Sequence, residues 1–156
     1  MVDRSELRDS AYWRGWAPAF LLCAVLAVAA TLPPFVGPLW RAALMHVFSH
    51  VCHQIAERSP ALDGIPLAVC HRCYGFYVGL LCGTAVTIVL AARRAMLNRH
   101  AVPILAIGFA PAALDWLLGV AEIWSNTPFS RTTTGWLCGT VAGVYMAFAF
   151  TGATRR

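Results

Sequence analysis

Lysine is absent from this chain, and charged residues of every kind make up only 12% of it, about half the share usual in a soluble domain. With 59% of the residues hydrophobic, too little polar surface remains to cover a water-soluble fold. Other absences narrow the chemistry. There is no glycine-rich phosphate loop, no nucleotide motif and no pattern of a serine and histidine triad. A covalent c-type haem is excluded because it requires C-x-x-C-H, and Cys73 is followed by Tyr74. The net charge of +5 comes from arginines placed singly or in pairs at the ends of apolar runs. That is the distribution of membrane-interface anchors rather than of a nucleic-acid surface.

Long apolar runs are what the chain has in quantity. A helix crossing the hydrocarbon layer needs about 20 mostly apolar residues, and four stretches meet that length: about 16–35, 73–92, 101–121 and 134–153. The first is read as a retained span rather than a cleaved signal peptide, because the residues before it are acidic as well as basic. These spans predict a single membrane domain over residues 1–156. Its fold class is all-α, an integral membrane four-helix bundle with an extramembrane Cys/His loop over residues 38–73.

Two of the spans carry glycines four residues apart: Gly75, Gly79 and Gly83 in the second, Gly135, Gly139 and Gly143 in the fourth. Such stripes let helix backbones approach closely, and association in lipid depends on packing. Spans two and four are therefore expected to be the inner pair. Cys23, Cys82 and Cys138 lie within spans and read as small buried hydrophobes. The six tryptophans, Trp13, Trp16, Trp40, Trp116, Trp124 and Trp136, sit near span ends, as an aromatic belt would.

Arginine also orients the chain, since inner loops hold the excess of positive residues. With the N-terminus inside, Arg4, Arg8, Arg14, Arg93, Arg94, Arg99, Arg155 and Arg156 are inner, against Arg41, Arg58, Arg72 and Arg131 outside. Both termini are thus expected in the cytoplasm of a multi-pass protein of the cell inner membrane, with the Cys/His loop extracytoplasmic.

That loop, HVFSHVCHQIAERSPALDGIPLAVCHRCYGFYVG, gathers four of the five histidines and three of the six cysteines. Before it, LWRAALMHVFSHV has Trp40, Leu44, Val47, Phe48 and Val51 at helical spacing, predicting a short amphipathic helix at the interface. His46, His50 and His53 would share another stripe if that helix ran on. The Asp63-Gly64 pair is a hairpin turn signal, and a small hairpin there would return the chain from Cys52 to Cys70.

Three chemistries suit the resulting set. Cys52, Cys70 and Cys73 with one imidazole from His50, His53 or His71 form a ligand set for zinc or iron. Alternatively, Cys70 and Cys73 at a helix N-terminus beside Arg72 would exchange disulfides as a redox pair. The plainest possibility is a structural disulfide on an oxidising face.

Asp115 is an acid inside an otherwise apolar span, which makes it a functional candidate that needs a partner. Asn126 and Arg131 are the first expected partners and the cluster histidines the next, and a packing salt bridge to Arg131 is the non-functional alternative.

The order Cys52-His53-Gln54, Glu57-Arg58-Ser59, Cys70-x-Arg72-Cys73-x-Gly75 and Tyr77-x-Gly79 resembles a family of small prokaryotic membrane proteins, domain of unknown function 2085. The resemblance runs on through Asp115, Ser125-Asn126, Arg131 and Gly135. It implies a compact helical membrane protein with an outer Cys/His motif, and no activity. The family pattern usually has proline where this chain has Ala56 and alanine where it has His71, which weighs against His71 as an essential ligand. A more distant likeness is to four-span quinone-coupled thiol oxidoreductases, but the connection AEIWSNTPFSR lacks their second cysteine pair.

The sequence therefore predicts a lipid-embedded protein holding a metal ion, zinc or iron, at its outer face. The enzyme alternative is a thiol or quinone oxidoreductase. The non-enzyme alternative is an accessory subunit docked to the other subunits of a larger membrane complex. Nucleic acid is not an expected partner.

Overall fold

The computed structural model describes residues 10–153; Arg4, Arg8, Arg155 and Arg156, counted above toward the inner side, lie outside the described residues. Helix α1 spans Ser10–Thr31 and stops where Pro33 and Pro34 withhold backbone donors and set a 3-10 turn. The expected limits of 16–35 ran through that stop. Helix α2, Pro38–Ser49, opens at the Gly37 cap with proline in its first turn. A two-stranded hairpin follows, β1 Ala61–Leu62 and β2 Ile65–Pro66.

Helix α3 covers His71–Leu90 and continues through a 3-10 turn into α4, Arg94–Arg99. Helices α5, Ala101–Val120, and α6, Pro128–Ala153, complete the chain. Helices α1, α3 with its continuation, α5 and α6 are each long and apolar enough to cross a membrane.

The centre of the bundle is the pair α3 and α6, which share by far the most extensive contact. The two glycine stripes face each other in parallel register. A Cβ on Gly75, Gly79 or Gly83 would collide with the carbonyl of Thr132, Trp136 or Thr140, and one on Gly135, Gly139 or Gly143 with that of Arg72, Phe76 or Leu80. Each step of four residues on one helix matches a step of four on the other, so neither stripe tolerates a side chain.

Helix α1 packs on both members of this pair through a stripe that the glycine pattern did not signal. Ala11, Gly15, Ala19, Cys23 and Ala27, each four residues from the next, are its buried face together with Tyr12 and Ala30. Three alanines and a cysteine join Gly15 in doing here what glycine alone does at the centre. Polar links fix the register: the Trp16 indole N–H donates to the Thr84 carbonyl at 2.9 Å and to the Thr87 hydroxyl at 3.2 Å, and Cys23 Sγ lies 3.4 Å from Thr84 Oγ1. Trp16 is thus a packing residue, whereas Trp40, Trp116 and Trp124 are more than half exposed, as a lipid-interface belt requires.

Helix α5 is peripheral. Its one buried residue is Asp115, and the remainder presents Val102, Ile107, Leu114, Trp116 and Val120 outward. In water such a surface would aggregate; against lipid chains it costs nothing. Helix α6 begins with a reciprocal cap, in which the Thr127 N–H donates to Ser130 Oγ and the Ser130 N–H to Thr127 Oγ1, both at 3.1 Å.

Candidate metal centre

The chain reaches the site from α2. That helix ends at Ser49, one turn short of what an uninterrupted histidine stripe would need, so His46 and His50 stack edge to face at 5.2 Å while His53 lies beyond the helix. The Cys52 N–H closes onto the Phe48 carbonyl at 2.9 Å, which carries the Cys52 side chain inward beside Ala30, Phe48, Ala68 and Val69.

Gln54 then turns the backbone through the left-handed region at φ 50°. A side-chain-bearing residue adopts that conformation at a cost. Two hydrogen bonds offset it: the Gln54 amide donates to the Met45 carbonyl at 2.7 Å and to the Ala68 carbonyl at 2.8 Å. One side chain thereby clasps α2 to the segment entering α3.

The hairpin completes the return. Asp63 and Gly64, at φ 49° and 77°, make the two-residue turn, with Leu62 opposite Ile65 and Ala61 opposite Pro66. The Leu67 N–H donates to the Pro60 carbonyl at 2.8 Å and the Ala68 N–H to the Ala30 carbonyl at 3.0 Å, fixing the strand base against α1. Cys70 becomes the N-cap of α3, with Cys73 in its first turn.

The ligand atoms of Cys52, Cys70 and Cys73 consequently all lie within 4.8 Å of one another, and the Cys70 N–H donates to Cys52 Sγ at 3.2 Å. A tetrahedral zinc–thiolate site places its sulfurs about 3.8 Å apart, given Zn–S bonds of about 2.3 Å. The cluster thus needs to close by no more than about 1 Å to hold an ion. All three cysteines are free thiols. Hydrogen bonding from the Cys52 and Cys73 thiols, in that order of weight, holds the Cys70 thiol far below the ordinary cysteine range.

The histidines are differently placed. His50 Nδ1 lies 3.0 Å from the His46 carbonyl of its own helix, and His71 Nδ1 lies 3.4 Å from the Thr132 hydroxyl of α6. His53 is exposed but shares with the three cysteines, Val51, Ile55 and Arg58 the wall of a cavity of about 250 Å³.

Asp115 is paired, but not with the expected Arg131. Its carboxylate forms an ion pair with Arg72, inside the C-x-x-C. The Asp115 backbone carbonyl accepts a hydrogen bond from the Asn126 amide. Arg131 lies within electrostatic range of Arg58, Arg72, Asp115 and Cys70. Arg72 wins because the close approach of its carbonyl to Gly135 sets the first turn of α3 against α6, and α5 packs on α6 in turn. Two contributions thus escaped the sequence, the Gln54 clasp and the Arg72 pairing. Both residues stood in the quoted motif, but nothing in linear spacing tells a clasp from a ligand.

Fold and site together define a small polytopic membrane protein with three thiols gathered at one end of a helical bundle. The chain belongs to the family described as Predicted membrane protein (DUF2085), whose model matches residues 52–145, the segment from the first clustered cysteine into α6. It is also 31% identical over 109 residues to an uncharacterized protein of Methanocaldococcus jannaschii, a match covering 66% of this chain and 65% of that one. The chain therefore spans just under two thirds of that relative's length. No solved structure matches the chain.

Proposed function

We propose that this membrane protein binds a metal ion, zinc or iron, through Cys52, Cys70 and Cys73 at the extracytoplasmic face of the cell inner membrane. The observation that carries the reading is the approach of three sulfurs within 4.8 Å from points 18 residues apart, held by a hairpin and a glutamine clasp. Thiolate-rich sets favour zinc and iron over hard cations. A backbone N–H directed at one sulfur is a property of a ligand set prepared for a cation. The arginine bias favours this end of the bundle on the outer side, with the lipid bilayer around the rest.

Elemental analysis of the purified protein tests it. One ion per chain is expected in the wild type, with loss in Cys52→Ser and in Cys70→Ser and retention in Cys23→Ser, which alters a thiol between α1 and α3. Retention in both of the first two variants would sink the reading.

A second reading has its own observation. Cys70 is the N-cap of α3, with its thiol held below the ordinary cysteine range, and the thiolate this favours is the form that attacks disulfides. A metal-free preparation whose Cys70 and Cys73 cycle between dithiol and disulfide with a quinone would favour the oxidoreductase. A metal-free, redox-inert protein that co-purifies with other membrane subunits would favour an accessory role.

A further inference from the structure

We infer that the fourth position at the thiol cluster is left to a small anion from outside the chain, admitted through the cavity that His53 and Arg58 border. The inference rests on the metal reading and goes one step beyond it, from holding an ion to presenting one.

Among the described residues, the ligand atoms that come within 4.8 Å of one another around this site are three sulfurs and nothing else. No imidazole completes the set. His50 is turned to its own helix and His71 to α6. His53, the remaining candidate, stands on the cavity wall with its side chain exposed. Structural zinc sites are closed by four protein ligands, whereas sites that exchange ligands keep three and an open position.

The open position has a route to it. The cavity of about 250 Å³ runs from Cys52, Cys70 and Cys73 to Val51, His53, Ile55 and Arg58, all four of which are exposed. Its charge selects the entrant. Three thiolates on a divalent ion leave one net negative charge. Arg72 is balanced by Asp115, but Arg58 and Arg131 lie within electrostatic range of each other, and Arg131 within range of Cys70. Arg58 on the cavity wall, with Arg131 within electrostatic range behind it, gives the entrance a positive bias that draws anions. The ligand class is a small monoanion or the anionic end group, carboxylate or thiolate, of a larger molecule.

The full chain in detergent, loaded with cobalt(II), reports on this directly, because ligand-field bands respond to the fourth ligand. Thiocyanate, as a soft probe, and acetate, as a hard one, are titrated at constant ionic strength. A saturable shift of the visible bands is expected, with the stronger response naming the donor type. The shift should persist in His53→Ala and need about tenfold more anion in Arg58→Gln, a surface change that leaves the thiols in place. Bands indifferent to both anions in the wild type but altered by His53→Ala would show a closed site with His53 as fourth ligand and overturn the inference while leaving the metal reading standing. No cobalt uptake at all would overturn both.

Discussion

Arg72 and Asp115, 43 residues apart in sequence, form an ion pair that ties the first turn of α3 to α5. Asp115 is the one residue that α5 buries, so the pair is the polar rivet of an otherwise lipid-facing helix. Because Arg72 lies between Cys70 and Cys73, the same contact steadies the thiol cluster. The acid within the span is thus accounted for by its partner, and its contribution to the site runs through the orientation of the C-x-x-C turn.

Removing one member of a buried pair leaves the other uncompensated, at a cost of about 3–5 kcal/mol. The Arg72 side chain keeps 28% of its exposure, which argues for the lower end, about 3 kcal/mol. Asp115→Ala should therefore lower thermal stability in detergent by that amount, and Asp115→Glu should recover part of it. An Asp115→Ala variant as stable as the wild type would contradict this role.

At the glycine ladder the prediction is sharper. Gly79→Val places a branched side chain against the Trp136 carbonyl, and Gly139→Val does the same against Phe76. Both should abolish recovery of monodisperse protein, because backbone cannot move aside as a flexible side chain can. Gly37→Ala meets nothing within 4 Å and should cost only about 1 kcal/mol, the loss of a glycine N-cap, leaving the protein monodisperse. Size-exclusion profiles of the three variants are the check.

Gln54→Leu removes two hydrogen bonds, to Met45 and Ala68, worth about 1 kcal/mol each. It should also loosen the relation of Cys52 to Cys70. On the proposed metal reading, a loss of affinity of about 10-fold or more, as for groups that orient the ligands of a metal site, is expected in a chelator competition, with all three thiols still present. Unchanged affinity would show that the hairpin alone sets the cluster.

The Cys70 thiol gives a pH prediction for metal-free protein. An ordinary cysteine loses alkylation rate tenfold for each pH unit below its pKa, because only the thiolate reacts. Cys70 is held far below the ordinary range by its neighbours' hydrogen bonds, so its thiolate persists as pH falls. Iodoacetamide at about pH 6 should label Cys70 ahead of other cysteines. Peptide mapping by mass spectrometry reads the order, and equal labelling would contradict the geometry.

Membership of the bundle was written in one dimension. Span number, the glycine ladder of α3 and α6 and the Asp63-Gly64 turn all follow from local composition and periodicity, because a lipid-buried backbone must form helices and a helix exposes the same face every four residues or so. The α1 stripe is equally periodic, but around Gly15 it is made of alanine and cysteine, which do not stand out in an apolar run as a series of glycines does.

What the linear sequence by itself determined, then, is a four-span helical membrane protein with its soft ligands concentrated in one connection. Only the tertiary structure decided that Cys52 meets Cys70 and Cys73 while the histidines do not join them, that Gln54 is the clasp, and that Arg72 rather than Arg131 answers Asp115. The physical reason is that these are relations between side chains on different elements. They depend on where one helix stops, on a left-handed backbone turn and on how closely two glycine faces meet, none of which spacing along the chain encodes.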